Sequence, residues 1–77
     1  MNKEKIKISK LLNKRFNLEI DYKDIIFDLK SKSLYTIVDG KRVGCYYDDD
    51  LKTIIMYGNI EISVCFVASL LKLLRLK

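Results

Sequence analysis

The sequence predicts an α+β fold of two layers: an N-terminal helix, an antiparallel meander sheet of four to five strands and a short C-terminal helix, with a small closed barrel as the alternative. Three observations carry this. Apolar residues near the N-terminus recur at helical spacing, the middle of the chain is a series of short branched and aromatic runs separated by turn formers, and the leucine-rich tail returns to helical spacing. Seventy-seven residues make one domain, 1–77, of about half hydrophobic composition. A chain this short buries only about 60% of the surface its unfolded form exposes, so its core is thin and its stability modest or shared with a partner.

The first element is a helix over residues 3–16. Ile8, Leu11, Leu12 and Phe16 fall at i, i+3, i+4 and i+8, the spacing of one helical face. Asn2 suits an N-cap, Lys14 and Arg15 lie where the helix dipole favours cations, and Asn17 can take the left-handed conformation that ends a helix.

The runs IIFDL, LYTIV, KRVGCYY, KTIIMY and IEISVCF then read as strands. Asp39-Gly40 is a two-residue hairpin signal, because a type I′ turn needs positive φ at both central residues. It pairs Thr36 with Val43, Leu34 with Cys45 and Tyr35 with Gly44. Gly58-Asn59 suits a type II′ turn, which makes 60–66 a strand. A three-residue loop at Asp48, Asp49 and Asp50 pairs Cys45 with Thr53 and Val43 with Ile55; a four-residue loop would move every side chain of the next strand to the other face. With three residues, the core face is Leu34, Thr36, Val38, Val43, Cys45, Tyr47, Ile55, Tyr57, Ile60, Ile62, Val64 and Phe66. The remaining tail, VASLLKLLRLK, is a helix facing the core through Val67, Leu70, Leu71 and Leu74. Its longest uncharged run, Ile62 to Leu71, is half of the roughly twenty residues that a bilayer requires, so no transmembrane segment is expected.

The net charge of +5 is unevenly placed: residues 1–15 carry +5, residues 16–50 carry −3 and residues 51–77 carry +3. A polarised molecule with basic ends suits nucleic acid, an acidic protein surface or an anionic membrane. No apolar run follows the lysines of MNKEKIKISK, so no secretory signal is expected and the expected location is the reducing cytoplasm.

Much chemistry is excluded by residue type. The chain has no histidine, and Cys45 and Cys65 lie twenty residues apart without a CxxC pair, so the expectation is free thiols and no metal site. Gly40, Gly44 and Gly58 are isolated and form no phosphate loop, and the aspartate run lacks the spaced ligands of a calcium loop. No catalytic residues and no cofactor are expected, and the chain is read as not an enzyme.

Two sets of residues are left to carry function. The sheet face opposite the predicted core places Tyr35, Arg42, Tyr46 and Met56 together, types enriched at protein interfaces, and Leu73 and Leu76 point away from the helical cluster of the tail. The expectation is a non-catalytic protein-binding module, a small regulator or inhibitor of phage or mobile-element type that occludes a surface of its protein partner, with homodimerisation through the same surfaces. The second set is a basic stripe, Lys3, Lys7, Lys10 and Lys14, spaced i, i+4, i+7 and i+11 on one helix face. It supports the alternative of a nucleic-acid-binding module, lysines meeting phosphates and tyrosines stacking bases.

Overall fold

The computed structural model describes residues 2–75. Helix α1 (Asn2–Phe16) is followed by a single 3-10 turn at Tyr22–Asp24 and by strands β1 (Ile26–Asp28), β2 (Ser33–Val38), β3 (Lys41–Asp48) and β4 (Thr53–Tyr57); helix α2 (Ile60–Arg75) closes the chain. The strands form one antiparallel sheet in the order β1-β2-β3-β4, an open meander rather than a barrel.

Helix α1 ends as its sequence dictates, with Asn17 in the left-handed region at φ 53. The next loop is held by Asn13, whose side-chain amide donates to the Ile20 carbonyl and accepts from the Ile20 N–H, both at 2.8 Å. This pair imitates one rung of a sheet ladder and turns the chain back along the helix. At the far end of the loop the Thr36 hydroxyl donates to the Asp24 carbonyl at 3.1 Å, tying the 3-10 turn to the sheet.

The β2–β3 hairpin has the predicted register: Tyr35 faces Gly44, Thr36 faces Val43 and Leu34 faces Cys45, around Asp39 and Gly40 at φ 52 and 75. The β3–β4 loop departs from expectation. It contains four residues, 49–52, because the Asp48 carboxylate accepts from the N–H groups of Asp50 and Leu51 and Lys52 adopts φ 53 before β4 begins. Gly44 therefore faces Tyr57, Cys45 faces Met56, Tyr46 faces Ile55 and Tyr47 faces Ile54. Every side chain of β4 lies on the face opposite to the one predicted, since the side-chain period of a strand is two. Ile54 now packs toward the helices, and Ile55 and Tyr57 point the other way.

The predicted strand at 60–66 is helical, the second correction. Gly58 takes φ 57, and a Cβ there would meet the Arg42 carbonyl at 2.8 Å. Asn59 then caps α2: its side-chain oxygen accepts from Glu61 N–H at 2.9 Å and Ile62 N–H at 3.4 Å. The residues that α2 buries are Ile62, Ser63, Phe66, Ser69, Leu70 and Leu73. They recur at helical spacing over the whole segment, and burial of that one stripe outweighs the strand preference of Ile60, Ile62 and Val64.

Both helices lie on the same side of the sheet. Ile8 and Leu12 from α1 and Phe66, Leu70 and Leu73 from α2 form one core with Leu34, Val43 and Cys45, closed by Ile25 and Ile62. Ser63, wholly buried, joins α2 to the ladder: its hydroxyl accepts from Gly44 N–H at 3.3 Å and donates to the Tyr57 carbonyl, standing in for a strand-to-strand bond at the end of β4. The helices pair antiparallel, fixed at one end by an ion pair of 3.1 Å between the buried Glu4 carboxylate and Lys72.

Candidate functional site: an aromatic cluster on the open sheet face

With both helices on one side, the other side of the sheet is left uncovered, and alternation along the strands decides what it displays. Gly44 forms its floor. Having no side chain, it lets Tyr35 on β2 and Tyr57 on β4 converge across β3, their ring centroids 6.0 Å apart in an edge-to-face arrangement. Tyr46, two residues along β3, lies 5.1 Å from Tyr57. Arg42, two residues the other way, holds its guanidinium 4.2 Å from the Tyr35 ring centre and 5.3 Å from that of Tyr57.

Four side chains from three strands thus make one ordered platform, each Arg42–ring contact contributing about 0.5–1 kcal/mol at such an exposed site. Among the described residues no hydrogen bond or ion pair engages the Arg42 guanidinium, so its N–H edge is directed to solvent. Ile37 beside Arg42 is 53% exposed and Ile26 beside Tyr35 is 41% exposed, so the platform is apolar at its margin as well. The two aspartates at the far end of the face, Asp28 and Asp48, are committed to their own turns, each accepting from two backbone N–H groups. Backbone hydrogen bonds from Ser31 and Lys30 hold the Asp28 carboxyl below the usual range.

No protein-family model, curated protein or solved structure matches this chain.

The platform brings together three of the four sheet residues that the sequence singled out, Tyr35, Arg42 and Tyr46. Met56 is not among them: the four-residue loop places it across from Cys45 on the helix side, at the sheet edge. Tyr57, assigned to the core by the sequence reading, takes its place and is the residue that the other three surround. A signal for this was present. The two four-residue turns have the same chemistry, Asp28-Leu-Lys-Ser-Lys32-Ser33 and Asp48-Asp-Asp-Leu-Lys52-Thr53, with a capping aspartate first and a lysine at φ 53 fifth. Aligning those two segments sets the loop length, and with it the face of Tyr57.

Leu73, expected on an outer edge, is 4% exposed and part of the core, whereas Leu71, expected inside, is 40% exposed. Treating 60–66 as a strand put the wheel of the tail out of phase. Leu76 lies outside the described residues. Lys3, Lys7, Lys10 and Lys14 are all exposed on α1, turned away from the core that Ile8 and Leu12 enter. They belong to the helix layer, on the opposite side of the sheet from the tyrosines.

The thiols are held in the neutral form. Burial beneath the helices pushes Cys45 up to about 12, and burial also raises Cys65 above its ordinary value, with Arg15 opposing. Among the described residues the open face presents the phenol rings of Tyr35, Tyr46 and Tyr57, the Arg42 guanidinium and aliphatic side chains.

Proposed function

We propose that this chain is a non-catalytic protein-binding module, a small regulator that covers a surface of another protein with its open sheet face. The observation that carries the reading is Arg42 stacked on Tyr35 and Tyr57 at the centre of a face that none of the described elements covers. Tyrosine and arginine are the residues on which binding energy concentrates, and here their rotamers are already restrained by one another, which lowers the entropy lost on association. The fitting partner offers a carboxylate to the outward edge of Arg42 and apolar side chains to Ile26 and Ile37. A second copy of the chain fits less well, because a two-fold contact through the centre of the face sets one Arg42 against another.

The test is site-directed photo-crosslinking in cells from position 37, with position 10 on α1 as the control. A discrete protein adduct from position 37 alone is expected, weakened about 30-fold or more by Tyr57→Ala or Arg42→Ala, the loss typical of a central interface residue. Ile37→Asp, at an exposed position, should abolish binding of the captured partner without affecting folding. If purified partner binds Ile37→Asp and Arg42→Ala as tightly as wild type, this face is not the binding surface. A mass of twice the monomer in light scattering, lost in Ile37→Asp, would replace a foreign partner with a second copy.

A further inference from the structure

We propose that the outer face of the helix layer is a second docking surface, independent of the sheet face, and that it lies against an anionic lipid bilayer. Because α1 and α2 are antiparallel and side by side, the surfaces they turn away from the core form one continuous face. From α1 it takes the stripe Lys3, Lys7, Lys10 and Lys14, and from α2 it takes Arg75 and Lys72. The acids of the two helices are Glu4, buried against Lys72, and Glu61. The other acidic residues, Glu19, Asp21, Asp24, Asp28, Asp39 and Asp48–50, all lie in loops and strand ends. Folding therefore turns the uneven charge along the chain into a molecule with one cationic side, whose complement is an extended anionic surface.

The second observation concerns what separates the lysines. Leu11 and Val64 are 42% and 55% exposed, and with Ala68 they follow the seam between the two helices. Where α1 and α2 meet, Leu11, Val64 and Ala68 line a shallow groove of about 300 Å³ with Lys7 and Arg15 at its rim. Aliphatic side chains projecting between long, flexible cations are the pattern of a helix lying in the interfacial plane. The apolar groups enter the headgroup–acyl boundary, and the lysine stems extend along it to keep their ammonium groups at the phosphates.

Nucleic acid fits this face less well, because contact with a duplex would hold Leu11 and Val64 against phosphate and sugar with no base stacked on them. A second copy is opposed by like charge. The tyrosines and the stacked arginine that favour a protein partner are on the other side of the sheet.

Co-sedimentation of the full chain with phosphatidylcholine vesicles, with and without phosphatidylglycerol, tests the proposal. Binding is expected only when phosphatidylglycerol is present and should weaken as salt is raised. Each cation near an anionic surface contributes about fivefold to partition, so Lys7→Gln with Lys10→Gln should weaken binding about 25-fold. Leu11→Asn with Val64→Asn, at exposed positions, should weaken vesicle binding and leave the circular dichroism spectrum unchanged. Ile37→Asp on the sheet face should leave it unaltered, which separates failure here from failure of the sheet-face reading. The proposal is overturned if anionic vesicles do not bind at low salt. It is equally overturned if the Leu11/Val64 variant binds them as well as wild type, or if duplex DNA or an acidic peptide binds as tightly as the anionic vesicles.

Discussion

Gly44→Ala is the substitution with the largest consequence that the structure allows to be calculated. A Cβ built at this position stands 2.2 Å from the Leu34 carbonyl oxygen, 2.5 Å from Tyr35 Cα and 2.7 Å from Tyr35 Cβ, at φ +150. Two of these three are main-chain atoms of β2, so no side-chain rotation relieves the overlap; β2 and β3 must separate or change register. A positive φ costs a non-glycine residue about 1–2 kcal/mol, and overpacking of a closed site adds about 1–3 kcal/mol, for a total of about 2–5 kcal/mol. A domain of this length has about 4–12 kcal/mol in total, so the variant should lose a large share of its stability, and all of it at the lower end of that range. Gly40→Ala is the control: it also has positive φ, at +75, but nothing lies within 4 Å of its added Cβ, and it should cost only the conformational part, about 1–2 kcal/mol. Urea titration followed by far-ultraviolet circular dichroism measures both. Should Gly44→Ala prove no less stable than Gly40→Ala, the close approach of Tyr35 and Tyr57 across a bare backbone would not be what builds the open face.

Four further outcomes follow from the packing. Ser63→Ala leaves the Gly44 N–H and the Tyr57 carbonyl without the hydroxyl that bridges them and should cost about 1–3 kcal/mol in denaturant titration. Leu73→Ala should cost about 2–5 kcal/mol as a buried truncation, whereas Leu71→Ala at an exposed position should stay within about 0.5 kcal/mol. The Lys72 ammonium beside Glu4 is the main cause that holds its carboxyl below the usual range, against the opposing effect of burial. Its folded value is therefore depressed: the stability it contributes is present above the unfolded value of about 4.3 and is lost as pH falls through the folded value, so Glu4→Gln should flatten the acid side of a melting-temperature profile. Native-state alkylation should modify half-buried Cys65 slowly and Cys45 only at the rate of global unfolding, as mass spectrometry of partly labelled protein would show.

The features legible in the residues were those decided by neighbours a few positions away. The stripe of Ile8, Leu12 and Phe16 with Asn17 at its end specified α1, and Asp39-Gly40 specified the β2–β3 register, because both depend on local turn and cap chemistry. From that register the approach of Tyr35 to Gly44 followed without any knowledge of the tertiary structure.

Two things were decided only in three dimensions. The segment Ile60–Phe66 satisfies both a two-residue and a 3.6-residue period, and local preference favoured the strand; helix was selected because Phe66, Leu70 and Leu73 reach one core together with Ile8, Leu12 and Cys45 only along a helical face. The side of the sheet on which Tyr57 lies depended on one residue of loop length, since a strand inverts its faces with a single step, and that choice was made where the Asp48 carboxylate closes a four-residue turn. Sequence alone thus determined which residues are able to stack or to carry charge, while the placement of both helices on one side determined that the tyrosines and the lysines face opposite ways. A thin core of this size has only enough apolar surface to cover one side of its sheet.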